Sequence, residues 1–185
     1  MIEISFDVNQ VLQDRLASSM GLDRYKDIMD AVNVVDVSMD TNFQRTFNGF
    51  YGVRRNAEWR KVFYDFFEES KKKSVSFEEI LMYLYEETGN VEPSFSSKLF
   101  ATLDSNKPIW DRYVTQNLQM KLEGKTKGDR IKNAIRLYDD IETWYSEFLK
   151  TNKAKECIAA FDSALPNYSW ISDIKKVDAI LWSIR

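Results

Sequence analysis

Asp111 follows Pro108-Ile109-Trp110, so a carboxylate stands beside a proline and a large aromatic ring. Such neighbours keep water away. Shielding of this kind raises a carboxyl pKa and strengthens the hold of a carboxylate on positive charge developing in a reaction. The chain has no histidine, and Cys157 is its single cysteine. His-based triads, His metal ligands and imidazole shuttles are therefore absent, and acid–base chemistry falls to Asp, Glu, Lys or Tyr. Upstream, Gly89-Asn90 lies between two apolar segments. A tight turn between two helices points backbone N–H groups outward beside a helix start, which makes an anion site. Each feature also has a plain structural reading. An Asp is favourable in the first turn of any helix, and a glycine can simply cap the first helix of an αα-hairpin.

The elements that must position these residues read as helix almost throughout. Three prolines and six glycines are too few for a many-turned β protein. Asp7 caps a helix expected to run to about Met20, where Gly21 stops it. A shorter helix spans 23–33, and the β-branched run Val34-Val-Asp-Val37 is compatible with extended backbone but too short to argue for a sheet. Helices over 40–51 and 57–70 carry Phe43, Phe47, Phe50, Trp59, Phe63 and Phe67 at helical spacing. Ser76-Phe-Glu-Glu79 has the spacing of a capping box. Pro108 suits a helix start, because its missing N–H is harmless there. Asp129 opens the longest helix, expected to reach Lys150. A further helix covers 155–164, and Ser172 caps the last one, with Ile174, Val177, Ile180, Leu181 and Ile184 on its buried side. The fold class is all-α, about nine or ten helices with a helix-hairpin-helix near the centre.

Composition sets the outer bounds. The chain has 185 residues, of which 44% are hydrophobic and 30% charged, enough for one domain with a sizeable core. No run of apolar residues is long enough to span a membrane. The N-terminal segment lacks the basic region and cleavage site of a signal peptide, and a lone cysteine forms no internal disulfide, so a cytoplasmic location is expected. With one cysteine and no histidine, no metal site and no cofactor is expected. The net charge is −3, which does not favour nucleic acid. Local basic clusters stand out nonetheless, at Arg54/Arg55/Arg60/Lys61, at 71–73 and at Lys121–Lys132. Each also reads as an ordinary solvated face.

The order of residues from Thr88-Gly-Asn-Val-Glu-Pro-Ser-Phe-Ser-Ser-Lys-Leu-Phe100 to Lys107-Pro-Ile-Trp-Asp111 resembles the helix-hairpin-helix DNA glycosylase superfamily, most of all its 8-oxoguanine glycosylase-like branch. The resemblance is clearest over residues 76–120 and looser over 36–185. Residues 1–35 would then be an N-terminal helical extension to a glycosylase-like domain. The resemblance implies that the turn at Gly89 and Asn90 grips a phosphate of double-stranded DNA. It implies that Asp111 stabilises charge on the sugar as the glycosidic bond breaks and helps to activate the nucleophile. It implies that Arg54, Arg55 and Asn56 enter the duplex, where their paired donors and acceptors suit base edges. Trp110 is the aromatic residue expected to face a ligand pocket. The second hairpin glycine of the family is Val91 here, followed by Glu92, which repels phosphate. The family's nucleophilic lysine is replaced by Pro93, which forms no Schiff base. Lys98, further along the second helix, is the nearest amine, either a displaced catalytic or phosphate-contacting group or a stem laid over apolar surface with its ammonium in solvent. The plainer reading makes Asn56 the cap of a helix and Arg54 and Arg55 ordinary surface arginines.

The function implied is a DNA-binding, DNA-repair protein, a monofunctional base-excision N-glycosylase using Asp111 and water. The alternative is a catalytically silent DNA- or protein-interaction module. A helical bundle with no nucleic-acid role is the third reading, and the negative net charge suits it. The family's iron–sulfur subset is excluded. The excised base and the oligomeric state are not legible.

Overall fold

The computed structural model describes residues 6–16 and 21–184. Among them are ten α-helices and no strand, so the all-α expectation holds. Contacts divide the chain into two units. One is Gly21–Leu103, and the other joins the N-terminal helix to Asp104–Arg185. Residues 1–35 are thereby shared between the two.

The Gly21–Leu103 unit is built on aromatic residues. Helices α2 (Leu22–Ala31), α3 (Thr41–Tyr51), α4 (Ala57–Ser70), α5 (Phe77–Thr88) and α6 (Pro93–Leu103) follow one another. Phe43, Phe47, Phe63, Tyr64 and Phe67 are buried together, with Phe47 meeting Phe63, Tyr64 and Phe67 at centroid distances of 5.8, 5.9 and 5.7 Å. Edge-to-face and tilted pairs of this kind add to what area burial alone supplies. The helix starts follow the capping chemistry of the sequence. Asp40 accepts from Phe43 N–H, Asn56 from Trp59 N–H, and Ser76 and Glu79 close a reciprocal capping box.

The run 34–37 is not extended. Val34 and Val35 turn back onto the Ala31 carbonyl at 2.8 and 3.0 Å. Two side chains of α4 and its end hold the turn. The Lys71 ammonium donates to the Val32 and Val35 carbonyls at 3.1 and 2.8 Å, and Glu68 accepts the Val37 N–H at 2.9 Å. Satisfied backbone groups outweigh β-propensity here, because among the described residues there is no strand to pair them.

The second unit contains α1 (Val8–Leu16), α7 (Arg112–Asn117), α8 (Lys127–Phe148), α9 (Asn152–Ala164) and α10 (Asp173–Ser183). Helix α10 packs against α1, α7 and α9. Asp7 accepts from the N–H groups of Asn9 and Gln10, as a cap should; the expected extension of α1 to Met20 lies outside the described residues. Helix α8 opens before Asp129, because Thr126 is its cap and Asp129 completes the capping box three residues on. Likewise α9 opens at a Thr151 cap rather than at Lys155. No described helix is long and apolar enough to cross a membrane.

Pro108 does not lead a helix. Helix α7 begins at Arg112, and the Pro108–Trp110 segment is irregular. Lys107, as the residue before a proline, is steered away from helical geometry. The polar groups that the segment leaves outside a helix find partners on other elements, and those partners matter to the site.

Candidate functional site

The residues expected to carry function fall in both units. Gly89, Asn90, Lys98, Arg54, Arg55 and Asn56 belong to Gly21–Leu103; Trp110 and Asp111 belong to the other.

At the hairpin, Gly89 ends α5 in the left-handed conformation, φ 68°, and its N–H donates to the Tyr85 carbonyl at 2.8 Å. Only glycine adopts that conformation without strain. Val91, at the family's second glycine position, has no positive φ, so this turn requires one glycine only. The Asn90 side chain donates to the Thr88 carbonyl at 3.1 Å. The carbonyl of Glu92 then receives the N–H groups of Phe95 and Ser96 at 3.1 and 3.0 Å, which fixes the start of α6.

Cations crowd the ring of Phe95. The Arg55 guanidinium lies 5.3 Å from its centroid and 5.7 Å from that of Trp59. The Lys98 ammonium lies 5.1 Å from the Phe95 centroid and donates to the Tyr51 carbonyl at 3.1 Å. Lys98 is buried, 8% exposed, and its ammonium is directed to a backbone carbonyl. Arg55 is also paired with the carboxylate of Glu92 at 2.5 Å. Glu92, which the sequence marks as repelling phosphate, is thus buried and neutralised from within the unit. Asn56 uses its side-chain oxygen to cap α4, accepting from Trp59 N–H at 2.9 Å. Arg54 is exposed and makes no ion pair or hydrogen bond among the described residues. Around the start of α8, Lys121, Lys125, Lys127 and Lys132 are exposed as well.

In the other unit Asp111 is the cap of α7. One carboxylate oxygen accepts the Tyr113 N–H at 2.8 Å, and the Asp111 carbonyl accepts from Thr115 N–H at 2.9 Å. The residue is half-buried, whereas Trp110 is 7% exposed. The segment leading to Asp111 is tied down from two helices. Tyr138 of α8 donates its hydroxyl to the Pro108 carbonyl at 2.8 Å. Asp178 of α10 accepts the Ile109 N–H at 3.2 Å.

Asp178 is 3% exposed. Its second oxygen accepts a short hydrogen bond from the hydroxyl of Tyr145. Burial pushes its carboxyl pKa up to about 6, against the opposing pull of Lys175 and of the two hydrogen bonds. Lys175 is buried on the same helix, and burial lowers its pKa in spite of the nearby charges of Asp178 and Asp111. The phenols of Tyr138 and Tyr145 are raised, first by burial and then by neighbouring carboxylates. Sequence reasoning missed Asp178 and Lys175. The signal existed: Asp178 lies on the apolar stripe of α10, four residues after Ile174 and three before Leu181, where a charge needs a reason.

No family model, no curated protein and no solved structure matches the chain. Among the described residues, no group of three or more His, Cys, Asp or Glu is placed to hold a metal ion.

Proposed function

We propose that the protein binds double-stranded DNA as a helix-hairpin-helix glycosylase-like protein and excises bases by a monofunctional route, with Asp111 as its catalytic carboxylate. The observation that carries the reading is the contrast between two side chains. Asp111 is half-exposed at a helix start, with one oxygen held by Tyr113 N–H and its approach segment anchored by two buried side chains. Lys98, the only amine near the hairpin in sequence, is buried and bound to a backbone carbonyl. To attack a sugar carbon, that ammonium would have to give up both its proton and its bond to the Tyr51 carbonyl.

The chemistry follows from the carboxylate. As the bond between the sugar C1′ and the base nitrogen breaks, its electron pair leaves with the base and positive charge builds on the sugar. A fixed carboxylate stabilises that charge. Water then adds to C1′, and its proton passes to Asp111. No covalent enzyme–DNA adduct arises. On duplexes bearing oxidised, alkylated or deaminated bases, excision should occur, borohydride should trap no adduct, and Asp111→Asn should remove activity without unfolding the protein. Trapping that disappears in Lys98→Ala would overturn the monofunctional route.

The silent interaction module is the second reading, and the Arg55–Glu92 pair favours it. A guanidinium held by a buried carboxylate and two rings is less available to a duplex. Salt-sensitive duplex binding with no excision across the base panel would select that reading.

A further inference from the structure

The chain buries a carboxylate, Asp178, on the apolar side of α10. Ionised groups are expensive to bury, and an apolar residue of similar volume at such a position is commonly neutral or stabilising. Val177, Ile180 and Leu181 already anchor the helix in the core. What Asp178 does, and a leucine could not, is accept two buried donors: the hydroxyl of Tyr145 on α8, and the N–H of Ile109, a residue 69 positions away in sequence and two before Asp111.

That N–H has no helical partner, since α7 begins only at Arg112. A buried donor of this kind needs an acceptor. The neighbouring Pro108 has no N–H to offer, and its carbonyl is taken by Tyr138. The one peptide that joins Pro108 to Ile109 is thus held at both ends, its carbonyl by a neutral phenol and its N–H by an ionisable carboxylate.

We propose that Asp178 is a positioning residue that fixes Asp111 through the Ile109 N–H, and that protonation of Asp178 loosens this hold. The inference rests on the reading of Asp111 as the catalytic carboxylate. A charged acceptor binds an N–H about twice as strongly as a neutral one, so the bond to Ile109 depends on the ionisation of Asp178. The groups that set this ionisation are Lys175 on α10, Tyr145 and Tyr138 on α8, and Asp111 itself, whose charge opposes that of Asp178. From α9, Asp162 faces Lys176 instead, at 2.8 Å. The carboxyl value of about 6 places the change just below neutrality.

The test uses the full chain and two variants. Asp178→Asn keeps the volume and one acceptor oxygen but no charge. Asp178→Leu removes both. Hydrogen exchange at the Ile109 amide, corrected for intrinsic rate, is measured from pH 5 to 8, with single-turnover excision in parallel. In the wild type, protection at Ile109 should fall as pH drops through about 6. It should be flat with pH in Asp178→Asn, and weaker by about tenfold in Asp178→Leu. The excision rate should follow protection in all three proteins, with KM little changed. Ile109 protection that is the same in wild type and Asp178→Asn at every pH overturns the inference, whether or not Asp178→Leu folds. A wild type that excises nothing overturns the catalytic reading of Asp111 alone. The Ile109 exchange then still decides whether Asp178 holds the segment.

Discussion

Lys98 donates its ammonium proton to the carbonyl of Tyr51 across 3.1 Å, and Tyr51 is the last residue of α3. The carbonyls of a final helical turn lack partners within the helix and carry the negative end of its dipole. A buried cation therefore closes one helix end, with the rings of Phe95 and Tyr51 beside it at 5.1 and 6.0 Å. The contact holds the amine against the end of α3.

Lys98→Met keeps the stem and deletes the cation. Leaving the Tyr51 carbonyl buried without this donor should destabilise the protein by about 1–3 kcal/mol. Equilibrium urea denaturation reads this directly. Unchanged stability would mean that the contact contributes nothing and that Lys98 is held for another reason.

The Arg55–Glu92 pair calls for a double-mutant cycle. Arg55 is 41% exposed in its side chain and Glu92 only 8%, so solvent screens one partner and not the other. Removing Arg55 strands a buried carboxylate. Arg55→Ala should cost on the order of 1–2 kcal/mol, and adding Glu92→Gln should recover most of it. In duplex binding the exposed Arg54 should behave differently. Arg54→Ala should reduce the slope of log K against log salt by about 1, with Arg55→Ala moving it less. Equal slopes for the two variants would show that the ion pair does not withhold Arg55.

Helix positions were legible because local chemistry set them. Ser76 with Glu79, Asn56 and Ser172 all cap as their side chains dictate. Where a longer-range partner intervened, local chemistry was not enough. Val34–Val37 turns because Lys71 and Glu68, more than thirty residues away, satisfy its backbone. Helix α7 starts late because Asp178 and Tyr138 take the polar groups of Pro108 and Ile109. Lys98 likewise finds its acceptor 47 positions away. Periodicity identifies which face of a helix is buried, but not that an acid on that face has a backbone donor waiting for it.

Asp178 also gives stability a pH dependence whose sign is fixed. Its carboxyl is raised from 3.8 to about 6 in the fold. Between those values the native protein binds more protons at this site than the unfolded chain, so the site's contribution falls as pH rises through the window and is constant above it. Asp178→Asn lacks the effect. The stability of the wild type relative to Asp178→Asn should therefore decline from pH 4 to about 6.5, by roughly 2–3 kcal/mol at most. Global stability thus gains from protonation while the Ile109 N–H loses its charged acceptor. A stability difference that is constant with pH would place the ionisation outside this window.

Cys157 offers a probe of local opening in the unit that carries Asp111. It is 1% exposed on α9, and burial pushes its thiol pKa up. Only the thiolate attacks disulfide reagents, and only when the reagent can reach it. At pH 8 the native protein should react with such a reagent slower than the urea-unfolded chain by at least about a hundredfold. The rate should rise smoothly with low urea if α9 opens by itself, and stay flat until the main transition if it opens only with the whole unit. Because α9 packs on α10, the second pattern would mean that the helix bearing Asp178 shares the stability of the whole unit. Immediate labelling in native buffer would contradict the burial of Cys157 and the packing of α9 with it.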